Sequence, residues 1–179
     1  MAGALGYTVP TNKIIIFNPY AKLPTQTCKV NTATNMIPGH LVKRSGTSDA
    51  EIVVNTAANT PIGCLGWEET NAKYTTLDEM EITDAYAVNS IVAVHNGPGV
   101  VWKGWLSDGE TCYKGSPLVA GSNGEMTVAV SISLTETASS KHHSASAGSI
   151  PIGGSIIAIA EMYAAPSGAK GAIAARMLI

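Results

Sequence analysis

Residues 117–130 read Pro117-Leu118-Val119-Ala120-Gly121-Ser122-Asn123-Gly124-Glu125-Met126-Thr127-Val128-Ala129-Val130. Asn-Gly tolerates positive φ, so Ser122-Asn123-Gly124 turns the chain sharply. Met126, Val128 and Val130 then alternate along one side, as a half-buried strand requires. This is the strongest hairpin signal in the chain, and its surroundings repeat it. Short β-rich runs recur at Lys13–Phe17, His40–Lys43, Glu51–Val54, Ile91–Val94, Gly99–Trp102 and Ile156–Ala160. Further turn chemistry stands at Asn96-Gly97-Pro98-Gly99 and Ser107-Asp108-Gly109. Many short strands with closely spaced turns predict an all-β fold, a barrel or a sandwich. Helix signals are scarce: a short helix fits Thr75–Glu81, and the Ala-rich stretch 169–175 is interrupted by Gly171.

Residues 1–35 differ in texture. Pro10, Pro19 and Pro24 break them up, Ile14–Phe17 is apolar, and Thr25–Asn35 is polar. They read as an extended N-terminal arm with one strand-forming segment, ahead of a barrel domain over residues 36–179. Two uses fit Lys13–Phe17. It adds to a neighbour's sheet, or it forms an edge strand of its own domain. Thr137–Ser149, rich in Ser, Ala and Gly, reads as an exposed flexible loop. There is also a faint internal echo. Gly39-His40-Leu41-Val42 precedes Pro61-Ile62-Gly63, and Gly115-Ser116-Pro117-Leu118-Val119 precedes Pro151-Ile152-Gly153. By sequence alone this is a shared strand–turn idiom rather than a demonstrated repeat.

Composition narrows the function. Of 179 residues, 45% are hydrophobic and 13% charged, where ordinary domains carry about 25% charged residues. Either partners cover much of the surface, or Ser, Thr, Asn and Gly keep it wet. A net charge of −2 argues against a basic nucleic-acid footprint. The apolar stretch 150–160 is interrupted by Pro151, Gly153 and Gly154 and is far shorter than a membrane span of about 20 residues. The expectation is therefore no nucleic acid and no membrane. The first thirteen residues show no secretory signal. Cys28, Cys64 and Cys112 are odd in number and widely spaced, which predicts free, buried thiols in a chain made in a reducing cytoplasm.

Catalysis needs a nucleophile or base, a group to orient it, and a place for developing charge. No phosphate loop, nucleophile elbow or zinc-protease helix is present. His142-His143 suggests a metal, but adjacent residues of an extended chain point apart. Asp78-Glu79-Met80-Glu81 with Asp84 lacks the spacing of a calcium loop. Glu68-Glu69 diverge on a strand, whereas glycoside cleavage needs carboxylates facing across a cleft. Lys114-Gly115-Ser116 resembles the approach to a carrier-domain hairpin, yet the tip 122–126 has no lysine to carry a prosthetic group. The chain reads as a non-enzyme without cofactor or metal.

The order of elements is familiar. Ile37-Pro38-Gly39-His40-Leu41-Val42 leads to Thr60-Pro61-Ile62-Gly63, then to Gly97-Pro98-Gly99-Val100-Val101-Trp102. Next come Lys114-Gly115-Ser116-Pro117-Leu118-Val119, Gly124–Ala129 and two closing strands at 156–160 and 175–179. This resembles the small capsid decoration, or cement, proteins of tailed viruses of bacteria and archaea. The resemblance implies a β-barrel or β-tulip-like fold, a homotrimer, and a seat on the outer capsid surface of the virion. Its partner there is the major capsid protein, whose contacts it stabilises. It also suggests a role for the arm residues Lys13, Ile14, Ile15, Ile16 and Phe17 in capsid or neighbour contact. Trp102, Trp105, Leu106 and Tyr113 are the candidates for the subunit interface. Three other readings stay open: another virion component, such as a tail, spike or baseplate subunit; a carbohydrate-binding β-sandwich built on Trp102, Trp105 and Tyr113; and an enzyme, metal-dependent through His142-His143 and Asp78–Asp84.

Overall fold

The computed structural model describes residues 14–57, 59–67, 83–129 and 156–179. Eleven strands lie among them: β1 (Ile15–Phe17), β2 (Thr25–Val30), β3 (Leu41–Arg44), β4 (Glu51–Val54), β5 (Gly63–Leu65), β6 (Ile91–His95), β7 (Val101–Leu106), β8 (Pro117–Ala120), β9 (Met126–Val128), β10 (Ala158–Ala160) and β11 (Gly171–Met177). The single helical turn among the described residues is a 3₁₀ turn at Ser122–Gly124. It is the expected hairpin tip, with φ of 56° at Asn123 and 76° at Gly124. β8 and β9 pair antiparallel across it, from Leu118 with Val128 to Ala120 with Met126. The expected helix at Thr75–Glu81 and the loop at 137–149 lie outside the described residues.

The strands close into two rings. β2, β4, β3, β5 and β6 form a closed barrel. β7, β11, β10, β8 and β9 form a second, closed where Leu106 of β7 meets Met126 of β9. The rings have one wiring diagram. In each, the first strand pairs parallel to the third and antiparallel to the fifth. The second strand pairs antiparallel to the third and the fourth, and the fourth to the fifth. The interval from Thr25 to Val101 equals that from Leu41 to Pro117 and from Gly39 to Gly115. Gly39 and Gly115 even share the left-handed backbone, at φ 84° and 93°. The Gly39 and Gly115 half of the faint sequence echo thus falls at equivalent places in two barrels of one wiring, while Pro151–Gly153 lie outside the described residues. The sequence led us to expect one barrel at 36–179; the all-β class holds, with two barrels in place of one.

The arm boundary moves as well. β2 lies inside the polar part of the supposed arm, yet it is a wall of the first barrel, bonded along five residues to β6. Its burial alternates, with Cys28 and Val30 inward and Thr25, Thr27 and Lys29 outward. β1 pairs with β7 of its own chain, Ile15 opposite Trp102 and Phe17 opposite Val101. Of the two uses open to this segment, the structure adopts the edge strand.

The barrels are joined through a shared wall. Alternation along β3 sends Leu41 and Val42 to opposite faces. Val42 joins Val30, Ile52, Leu65 and Val92 in the first core. Leu41 and its cross-strand partner Cys64 instead join Trp102, Leu106, Leu118 and Met126 in the second core. β7 leaves room for them. One edge is taken by β1 near Val101 and by β9 at Leu106, and Gly39 seats between these contacts. Inside the second barrel Trp102 fills the volume opposite Ala175 and over Gly104, where a Cβ would collide with the Met126 methyl group.

Candidate interaction site

The residues proposed from sequence for a subunit interface divide sharply. Trp102 and Leu106 are core residues of the second barrel, and Trp105 is buried at the junction. Their surface is already covered within the chain, which corrects their assignment to a subunit interface and removes both tryptophans as a sugar platform. Trp105 Nε1 donates to the Pro38 carbonyl at 2.8 Å and Trp102 Nε1 to Gly39 at 3.3 Å. The indoles thus tie β7 to the loop entering β3. Tyr113 differs, being 65% exposed. Of the arm residues, Ile14 is buried, Ile15 and Ile16 are half-buried and Phe17 is exposed. Lys13 lies outside the described residues.

The junction also buries polar groups. His40 has no exposed surface; Nδ1 donates to the Asn35 carbonyl at 2.7 Å, and Nε2 accepts from Lys170 Nζ at 2.7 Å. Burial first, and the Lys170 charge second, lower its pKa from 6.5 to about 3. Lys170 and Lys103 both lie over the Trp105 ring, at 5.2 and 5.5 Å from its centroid. Desolvation lowers both ammonium pKa values, and Glu125, 4.0 Å from Lys170, acts against it there. This network, buried at His40 and partly exposed at Lys170 and Glu125, ties the barrels together.

An open site lies on the second barrel. Cys112 and Ala164 form an isolated antiparallel bridge, which sets the turn 112–116 beside the segment 160–164. Tyr113 and Tyr163 become neighbours there, ring centroids 5.4 Å apart and planes tilted by 47°. Beside them Lys114, Gly115, Ile159, Ala160, Glu161 and Arg176 line an open cleft of about 320 Å³. Glu161 is nearly buried, its carboxylate held by Arg176 Nε at 2.6 Å, with Lys114 Nζ at 3.8 Å. Sequence reasoning found Tyr113 and missed Tyr163, Glu161 and Arg176. They come from two segments, 160–164 and β11, that only the fold brings near Tyr113.

A third feature is apolar. Phe17, Tyr20, Ile156 and Leu178 are exposed. Hydrogen bonds place them near one end of β7, with Tyr20 Oη on Pro98 and the Leu178 N–H on Ile157. The three cysteines are free and buried, as expected, and desolvation pushes the Cys64 and Cys112 thiols up. His142, His143, Glu68, Glu69, Asp78, Glu79 and Glu81 lie outside the described residues.

No family model matches the chain, and no curated protein matches it in sequence. Among solved structures it is similar to the N base of head fiber gp8.5 of bacteriophage phi29. That likeness has 13% identity and a TM-score of 0.47, over 87% of this chain and 94% of that one. A match this distant carries no functional weight.

Proposed function

We propose that this chain is a structural virion protein that binds the outer capsid surface and stabilises contacts between major capsid protein units, as a homotrimer. The observation that carries the proposal is the duplicated barrel locked over a shared wall. Such a body offers two similarly built modules at a fixed separation, which suits a joint between like capsid units. Area buried across that joint raises the free energy needed to part them. The exposed side chains of Phe17, Tyr20, Ile156 and Leu178 supply apolar surface for it. A charged fraction of 13% suits a subunit whose flanks are covered.

The test adds purified protein to capsids that lack it and images the particles. The reading predicts ordered density bridging capsid units and a higher temperature of capsid opening. The combined Phe17→Ser and Leu178→Ser variant, folded by circular dichroism, should lose occupancy. Folded wild-type protein that leaves the capsids bare would refute the proposal. Truncating residues 1–20 is a poor substitute, because it strips β1 from the protein's own sheet.

A further inference from the structure

From the free edge of β2 we infer that this protein captures an extended segment of a partner protein, which adds to the first barrel as an antiparallel strand. Edge chemistry comes first. Backbone groups along a strand point alternately to its two sides. Val30 N–H donates to Ser90 and Asn96 N–H to Pro24, so the even residues of β2 face β6. The odd residues face the other way, where Lys29 N–H meets Ala50 and Asn31 N–H meets Ile52. β4 begins at Glu51, and its pairing with β2 stops there. The residues before it turn back on themselves. Ser48 Oγ accepts the Ala50 N–H at 3.2 Å, and the Ser48 carbonyl accepts from Glu51. Thr25 and Thr27 thus turn their N–H and C=O groups to an edge that no strand among the described residues occupies. Both residues are exposed, as is the adjoining turn 46–50.

The second barrel shows what fits such an edge. By the shared interval Thr27 corresponds to Lys103 and Thr25 to Val101. Lys103 N–H donates to the Ile14 carbonyl at 2.7 Å, and β1 lies antiparallel along Trp102 and Val101. The place that β1 fills on β7 is the place that stands open on β2. An unpaired edge alternates donors and acceptors at the spacing of extended backbone, so it selects a peptide strand. The segment seated on β7 is Ile15–Phe17, so the fitting partner segment is apolar and β-branched.

The two seats differ underneath, and the difference separates a permanent strand from a visiting one. β1 belongs to its core: Ile14 beside it is buried and packs in one cluster with Trp102. In the first barrel Gln26 takes the place of Trp102, and Arg44 reaches it. Arg44 Nη2 donates to Gln26 Oε1 at 2.7 Å and Nη1 to Cys28 Sγ at 3.4 Å. Gln26 and Arg44 lie two residues from Cys28 and Val42, on the faces those residues turn into the first core. These polar side chains finish the barrel beneath the edge without an added strand. The seat is complete before anything fills it, as reversible docking requires.

The test titrates the intact, isotope-labelled protein with a synthetic peptide of residues 13–18, Lys13-Ile14-Ile15-Ile16-Phe17-Asn18, extended by lysines for solubility. NMR shift mapping and amide exchange are the readouts. In the free protein the Thr27 amide should exchange far faster than that of Cys28, which faces β6. The peptide should give saturable shifts at residues 25–29 and slow the Thr27 amide. The same peptide, N-methylated on its backbone, keeps its side chains and loses its donors; it should bind at least about tenfold more weakly. Thr27→Pro removes an edge N–H and no barrel bond, so it should fold, melt close to wild type, and bind the peptide about tenfold more weakly. Should that variant not fold, the methylated peptide carries the same comparison. Absence of shifts in β2, shifts confined to β7 and β11, equal binding of the methylated peptide, or a Thr27 amide as protected as that of Cys28 in the free protein would each overturn the inference. Capsid occupancy is measured separately, so failure here leaves the capsid proposal standing, and the reverse.

Discussion

In the first barrel the strand beginning at Leu41 supplies two cores, whereas its counterpart in the second, beginning at Pro117, sends Leu118 and Ala120 into one core and buries Val119 outside it. The wiring is shared, so the difference lies in what each copy has been fitted to. Gly39 and Gly115 show it at one residue. Both have left-handed backbone, but a Cβ on Gly39 would collide with the Lys103 carbonyl oxygen and sit 3.2 Å from Trp105 Nε1, while a Cβ on Gly115 would meet nothing within 4 Å. Duplication provided two equivalent turns. One became the seat of the junction, and the other was left open beside Tyr113. A repeat, once fused, diverges where its copies touch and where they face outward.

The largest expected effect breaks that equivalence directly. Gly39→Ala should cost about 4 kcal/mol or more, or prevent folding, since left-handed strain of about 1–2 kcal/mol adds to a clash with backbone. Gly115→Ala should cost only the strain. Denaturant melts of the two variants make the comparison, and equal losses would contradict the assigned junction. Next, Leu41→Ala should cost about 3 kcal/mol by leaving a cavity in the second core, although Leu41 belongs to a first-barrel strand. Hydrogen exchange should show the loss in β7 and β11 as well as in β3. Protection lowered only in the first barrel would show that the wall is not shared.

Acid should act at the same place. His40 is neutral in the native state down to about pH 3, while in the unfolded chain it takes up a proton near pH 6.5. Between those values the unfolded state holds more protons, so stability is full above pH 6.5 and declines as pH falls. By pH 4 the loss from this group should reach about 3 kcal/mol. A His40→Gln variant should flatten stability over that window, measured by urea melts at successive pH values. The smallest effect belongs to the surface of the first barrel. Glu51 pairs with Lys29 at 2.7 Å and with Asn31, which together hold its carboxyl below the usual range. Lys29→Ala should leave the urea midpoint nearly unchanged, since exposed pairs contribute little.

Much of this was legible in the sequence, and the reasons differ by element. β3, β4, β6 and the 117–130 hairpin carry β-branched runs next to Asn and Gly turns, so local chemistry names them. β2 was hidden because its only inward apolar residues are Cys28 and Val30, and the outward ones are Thr and Lys. β11 was read only in its last part, as the closing strand at 175–179; its Ala-rich start was hidden, and Ala175 stays small opposite Trp102 of the paired strand. That constraint lives in three dimensions. Trp102 and Trp105 looked like surface anchors because aromatic content alone does not tell a core from an interface. The cleft was half legible: Tyr113 stood out, while Tyr163, Glu161 and Arg176 acquire meaning only through the Cys112–Ala164 bridge. The duplication left a trace in Gly39 and Gly115, too short to stand without the strand pairings.

All of these comparisons depend on the barrels behaving as one body, and scanning calorimetry of the intact protein addresses that most directly. The shared wall predicts a single transition whose calorimetric and van't Hoff enthalpies agree, with the Trp102 and Trp105 fluorescence change coincident with it. Two resolved transitions, or one barrel melting while the other keeps its protection, would contradict it.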